Sequence, residues 1–176
     1  IGLLGSWISG GAEFNWPMHH RPSTFMPCDY RIEEGEDGSV IVWLSEHEPL
    51  DRMKGMVGIC LSPDRALVET RMRVFNRTDL PRSFLWWENI AVPVNEQYQI
   101  FFPQDVNHVH FHRKQSVTTY PLTSSGMYNG KDFRGDPRDI RWHRHTPDAT
   151  SYFSAKSRYD FFGGYDHGRK AGVIHV

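Results

Sequence analysis

Between Val68 and Val74 the chain alternates without a break. Val68, Thr70, Met72 and Val74 point one way, and Glu69, Arg71 and Arg73 point the other. A period of two is the mark of a half-buried β-strand. No stretch of about 12 residues carries the i, i+3, i+4, i+7 apolar spacing of a helix, and eleven prolines and fifteen glycines punctuate the chain at short intervals. Strands are expected at Tyr30–Glu33, Ser39–Glu46, Met56–Leu61, Ala66–Asn76, Ser83–Val94, Tyr98–Phe102, Asn107–Arg113, Ser116–Tyr120, Ser151–Ser154, Asp160–Tyr165 and Ala171–Val176. Gly35–Gly38 and Ser62–Arg65 read as hairpin turns, and the polar Lys131–Pro147 reads as a long surface loop. Many strands at close spacing predict an all-β, mostly antiparallel sandwich or barrel.

The 176 residues suit one domain with a sizeable core, so residues 1–176 are expected to form a single β-sandwich domain. Net charge is −1, which gives no electrostatic drive toward phosphates, so no nucleic-acid partner is expected. No apolar run reaches the roughly 18–20 residues of a membrane helix, and no membrane partner is expected. The opening IGLLGSWISGG lacks a basic n-region and is not a signal peptide; the expected localisation leans cytoplasmic. The chain starts at Ile1 rather than Met and stops inside an apolar run, Ala171–Val176, which suggests a fragment of a larger domain or a processed chain. Cys28 and Cys60 are lone cysteines without CxxC spacing, expected as buried free thiols. Aromatic residues make up 14% of the chain, which fits an aromatic-lined groove and equally an ordinary sandwich core.

Four groups of residues carry possible chemistry. Trp86, Trp87, Glu88 and Asn89 set rings beside a carboxylate and an amide, and rings stack on pyranose faces while polar groups read hydroxyls. Because neighbours alternate across a strand, only one of the two tryptophans can face a groove; Trp86 shares its face with Glu88, so that pair is preferred. The block Glu13–Thr24 contains Trp16, and His19, His20 and Arg21 between two prolines, a loop able to present a polar cluster; the alternative is a surface loop whose Arg21 pairs elsewhere. His108, His110 and His112 lie on one strand face about 7 Å apart. Two of them have HxH metal spacing, but the glutamate that would complete a cupin pattern is replaced by Gln115, and solvated histidines are preferred. In Asp160–Gly168 a Gly-Gly turn frames Tyr165, Asp166 and His167; Asp166 beside His167 suggests a general acid/base pair, against a tight turn whose Asp caps its own backbone. The last glutamate is Glu96, so a two-carboxylate mechanism would pair Glu13, Glu88 or Glu96 with an aspartate such as Asp105, Asp160 or Asp166. Asn76-Arg77-Thr78 matches a glycosylation acceptor and reads as a turn.

The blocks EFNWPMHHRPSTF, NRTDLPRSFLWWENIAVPVNEQYQIFFPQDVNHV and YDFFGGYDHGRKAGVIHV together resemble an uncharacterised bacterial domain family, often fused to tetratricopeptide repeats, with a galactose-mutarotase-like supersandwich. The resemblance spans most of the chain. It implies a mostly antiparallel β-supersandwich, incomplete here because the family's domain is longer than 176 residues, and a possible tetratricopeptide-repeat segment in the same full-length protein. Aldose 1-epimerases of the wider superfamily typically carry an Asn-Thr strand end, an acid histidine before Tyr-Phe-Asn-Leu, and a late base glutamate. Asn76-Arg-Thr78 resembles the first element, but Trp86–Ile90 stands where the histidine would be and the late glutamate is absent. That departure counts against mutarotase chemistry and leaves saccharide binding as the expectation.

The sequence therefore leads to a carbohydrate-binding, carbohydrate-active domain resembling glycoside hydrolases or epimerases. Glu88, Asp166, His167, His19 and His20 are its candidate catalytic residues. Trp16, Arg21, Trp86, Trp87, Asn89 and Tyr165 are its candidate substrate contacts. No cofactor or metal is called for. The alternative is a non-catalytic sugar-recognition or scaffolding module of a tetratricopeptide-repeat protein.

Overall fold

The computed structural model describes residues 11–17, 20, 27–49, 51–111, 116–123, 127–128, 131–132, 137–145, 151–154 and 156–176. His19, Arg21 and His112 lie outside the described residues. The chain divides into two compact units, Ile1–Val92 and Pro93–Val176, and among the described residues every strand pairing is antiparallel. The all-β expectation holds.

The first unit contains a meander of four strands, β2 (Asp29–Glu34), β3 (Val40–Glu48), β4 (Met53–Leu61) and β5 (Val68–Asn76), in sheet order β2-β3-β4-β5. The β2–β3 turn closes with Gly35 N–H donating to Ser39 O at 2.8 Å, and Asp37 Oδ1 accepts Ser39 N–H at 3.0 Å. Gly38 supplies the φ of 78° that this turn requires. Register places Trp43 opposite Gly58 and Gly58 opposite Arg71. Trp43 is buried there, its Nε1 donating to Glu33 at 3.1 Å and its ring lying 4.5 Å from the Arg73 guanidinium carbon. The opposite face carries Val57, Met72 and Val74, the partition that the alternation predicts.

A two-stranded ribbon is tied to the sheet through Trp16. It pairs β1 (Ala12–Asn15) with β6 (Trp87–Ile90). Its anchor is Trp16, 1% exposed, whose indole covers Gly55 of β4 so closely that a Cβ there would overlap the ring. The sequence reads Glu13–Thr24 as irregular, yet the structure makes Glu13–Asn15 a strand. The expected strand Ser83–Val94 shrinks to four residues because its partner β1 offers only four.

The second unit holds two three-stranded sheets. β7 (Tyr98–Phe101), β15 (Phe162–Asp166) and β16 (Ala171–His175) are arranged β16-β15-β7. β8 (His108–Phe111), β9 (Ser116–Thr119) and β14 (Tyr152–Ser154) are arranged β14-β8-β9. Two short pairs complete it: β10 (Leu122–Thr123) with β13 (Arg138–Asp139), and β11 (Met127–Tyr128) with β12 (Lys131–Asp132). Val106, Val109, Tyr120 and Ile140 form its core, with Phe102 and Tyr152 packed against them. Within the expected Lys131–Pro147 loop, the described residues 137–145 include packed positions. Ile140 is buried, Trp142 bridges to Gln99, and Tyr152 donates to Ile140 O at 2.6 Å. Both cysteines are free, but only Cys60 is buried; Cys28 is exposed.

Candidate functional site

Register decides which side chains meet on the β1–β6 ribbon. Glu13 lies opposite Asn89, and Asn15 opposite Trp87, so these four share a face. Phe14 lies opposite Glu88 on the other face, and Phe14 stacks on Trp86 with ring centroids 6.1 Å apart and planes 23° apart. The face is extended at both ends by backbone bonds, Ala91 N–H to Gly11 O at 2.8 Å and Leu85 N–H to Pro17 O at 2.5 Å.

Glu13 is the centre of the first face. Its side chain is 4% exposed, and both oxygens are engaged by side chains from separate segments. Oε1 meets His20 Nδ1 at 2.8 Å, and Oε2 accepts Asn89 Nδ2–H at 3.2 Å. The His20 ring stands edge-on to Trp87, centroids 4.5 Å apart and planes at 82°. A buried carboxylate that holds an imidazole by one nitrogen fixes the ring's orientation, the arrangement that general acid/base chemistry uses. Asn15 is fully buried beside it, and among the described residues neither its amide nitrogen nor its amide oxygen has a hydrogen-bond partner.

The structure therefore unites three of the sequence-predicted residues, His20, Trp87 and Asn89, around a glutamate that the sequence offers only as one of several carboxylates. Glu88 and Trp86, the preferred pair, lie on the Phe14 side. Trp16, expected to stack on a sugar, is a core residue, because its ring is taken up by Gly55. Glu88 and Asp166 fall in different units.

In the second unit the expected Asp166–His167 pair separates, since adjacent strand positions face opposite ways. Asp166 points inward and is 4% exposed. It accepts Gly168 N–H at 2.9 Å, Arg169 N–H at 3.0 Å and Asn95 Nδ2–H at 2.7 Å. The Arg169 backbone bond, with help from Asn95 and Gly168, lowers its pKa below the ordinary aspartate value. Asp166 is thus a turn cap held as a carboxylate, not a proton donor. Burial, with the Asp166 charge added to it, raises the pKa of the neighbouring Tyr98 hydroxyl. His167 points outward. Its Nε2 lies 2.8 Å from Gln99 Oε1, its ring is edge-on to Tyr165 at 5.0 Å, and it lies 5.2 Å from Trp142. Arg144 covers Trp142 at 4.3 Å. Gln99 sits opposite Tyr165 and bridges to Trp142, which explains how residues distant in sequence form this patch.

His108 and His110 lie on the exposed face of β8, while Val109 and Phe111 face the core. His108 Nδ1 is 2.7 Å from Asn107 Oδ1. Among the described residues no three His, Cys, Asp or Glu side chains converge as metal ligands. Asn76, in the acceptor-like triplet, forms a turn. Its Oδ1 accepts from Thr78 N–H at 3.0 Å and Oγ1–H at 2.8 Å, and its Nδ2–H donates to Leu80 O.

No solved structure matches this chain. The family model for a domain of unknown function, DUF5107, matches residues 1–176. The chain belongs to that family of domains of unknown function.

Proposed function

We propose that this domain binds carbohydrate on the Glu13–His20–Trp87–Asn89 face of the β1–β6 ribbon, and that His20, oriented by Glu13, is its proton carrier. One observation carries the reading: a carboxylate buried to 4% exposure is shared between an imidazole and an amide on a face that also holds a tryptophan. An indole supplies the apolar surface that a pyranose stacks on. Asn89, carboxylate and imidazole supply the mixed donors and acceptors that hydroxyls need. The mutarotase-like supersandwich and the tetratricopeptide-repeat association belong to the same proposal, supported by the resemblance of the sequence blocks.

A glycan-array screen followed by thermal shift on the full-length protein tests this. A saccharide hit weakened by both Trp87→Ala and Glu13→Gln supports the proposal. A hit that both variants bind as well as the unmodified protein places the site elsewhere.

The second reading, recognition without turnover, is favoured by Asp166. With its acceptors bound to the turn, the expected second carboxylate is unavailable for catalysis. Under that reading the array hit binds but is recovered unchanged after prolonged incubation.

A further inference from the structure

At the end of the four-stranded sheet where β3 turns into β4, a cavity of about 200 Å³ is lined by His47, Glu48, Pro49, Arg52 and Arg77. That is below the roughly 300–1,000 Å³ of ordinary small-molecule sites, so it suits one charged group or a single small ring. Arg52 reaches it from a left-handed backbone, φ 55°, a conformation that side-chain-bearing residues seldom adopt. Arg77, just past the end of β5, donates from Nη1 to His47 Nε2. Glu48 is buried, and its Oε2 accepts Asp51 N–H at 2.5 Å.

Three other arginines in the same unit are ion-paired, Arg31 with Glu33 at 3.4 Å among them. Arg71 is paired with Glu69 at 2.5 Å and Arg82 with Asp51 at 4.0 Å. Among the described residues, neither Arg52 nor Arg77 forms an ion pair, and the contacts of Arg77 go to the His47 ring. Two arginines and a single carboxylate among the residues lining one cavity leave one uncompensated positive charge. A guanidinium fork matches a carboxylate in two parallel bonds.

We propose that this cavity binds the carboxylate of a small anionic ligand, held between Arg52 and Arg77. The charge count favours a monoanion; a phosphate dianion would leave excess negative charge beside Glu48. An acidic sugar and a simple organic acid are the two sources of such a group. The site shares no residue with the Glu13 cluster, so it stands or falls separately from sugar binding there.

The test is a thermal-shift and calorimetric titration of the full-length protein with sodium glucuronate, sodium acetate, glucose and inorganic phosphate, at ionic strength held constant with sodium chloride. A saturable response to glucuronate is expected, at least tenfold weaker in both Arg77→Ala and Arg52→Gly. Arg52→Gly suits the left-handed turn and so retains the fold; circular dichroism of both variants checks this. Arg65→Ala, in the turn at the other end of β4, is expected to match the unmodified protein. Acetate binding as tightly as glucuronate identifies a bare carboxylate as sufficient, and glucuronate alone identifies an acidic sugar; both support the proposal. No saturable response, a glucose response equal to that of glucuronate, tighter binding of phosphate, or an unchanged response in the folded arginine variants overturns it.

Discussion

Glu13 and Asp166 are both carboxylates buried to about the same degree, yet their surroundings give them different chemistry. Asp166 accepts mainly from backbone N–H groups of its own turn, which fix it as an anion and tie it to folding. Glu13 accepts from two side chains, one of them an imidazole. The difference predicts how the second unit responds to acid. Asp166 and Asp105 are both held below the ordinary aspartate range. The largest cause is a backbone N–H bond, from Arg169 for the first and from Arg158 for the second. A group lowered on folding stabilises the native state above its unfolded pKa, near 3.9, and loses that contribution as pH falls through the folded value. Urea denaturation measured between about pH 5 and pH 2 should therefore show stability falling with pH, and Asp166→Asn should flatten that slope while retaining an acceptor for the turn. An unchanged slope would mean that the capping bonds do not persist in solution. At Glu13 the prediction is different. Glu13→Ala removes the acceptor shared by half-buried His20 and exposed Asn89, both of which water can reach, and should cost about 0.5–1.5 kcal/mol by chemical denaturation.

At the scale of elements, the alternation in β5 was legible because Met72 and Val74 are half-buried while Glu69, Arg71 and Arg73 between and beside them are exposed. Most strand positions in the chain follow the same rule, and their expected and observed limits differ by a few residues. β1 was not legible. Glu13, Phe14 and Asn15 lack β-branched residues and stand beside prolines, and their strand character comes from pairing with Trp87–Ile90, more than seventy positions on. The face assignments of Trp86 and Trp87 were equally out of reach. Alternation shows that the two oppose each other, but only the register of β1 against β6 decides which meets His20. Trp142 joined His167 for a similar reason, through a bridge to Gln99 inside a segment whose polarity reads as loop. The ribbon's attachment gives a mutational test. Trp16→Ala removes a fully packed indole and should cost about 3–5 kcal/mol. Gly55→Ala forces a methyl group into that indole and should cost about 1–3 kcal/mol. If either variant melts with the unmodified protein, the ribbon is not held on the sheet in this way.

At the scale of the molecule, two antiparallel β units place their aromatic–polar clusters on strand faces. The first unit's cluster is built around Glu13 and Trp87, the second's around His167, Tyr165 and Trp142. The near-neutral charge leaves recognition to stacking and hydrogen bonds rather than to a long-range field. The two clusters make separable predictions, because His167 and Tyr165 can be altered without touching Glu13. The most direct measurement is calorimetric titration of the full-length protein with a saccharide identified by array, comparing Trp87→Ala with Tyr165→Ala. A loss of at least tenfold in affinity for Trp87→Ala, with Tyr165→Ala close to the unmodified protein, is the predicted result. Undiminished binding by a folded Trp87→Ala variant would contradict the assignment of the sugar face to the β1–β6 ribbon.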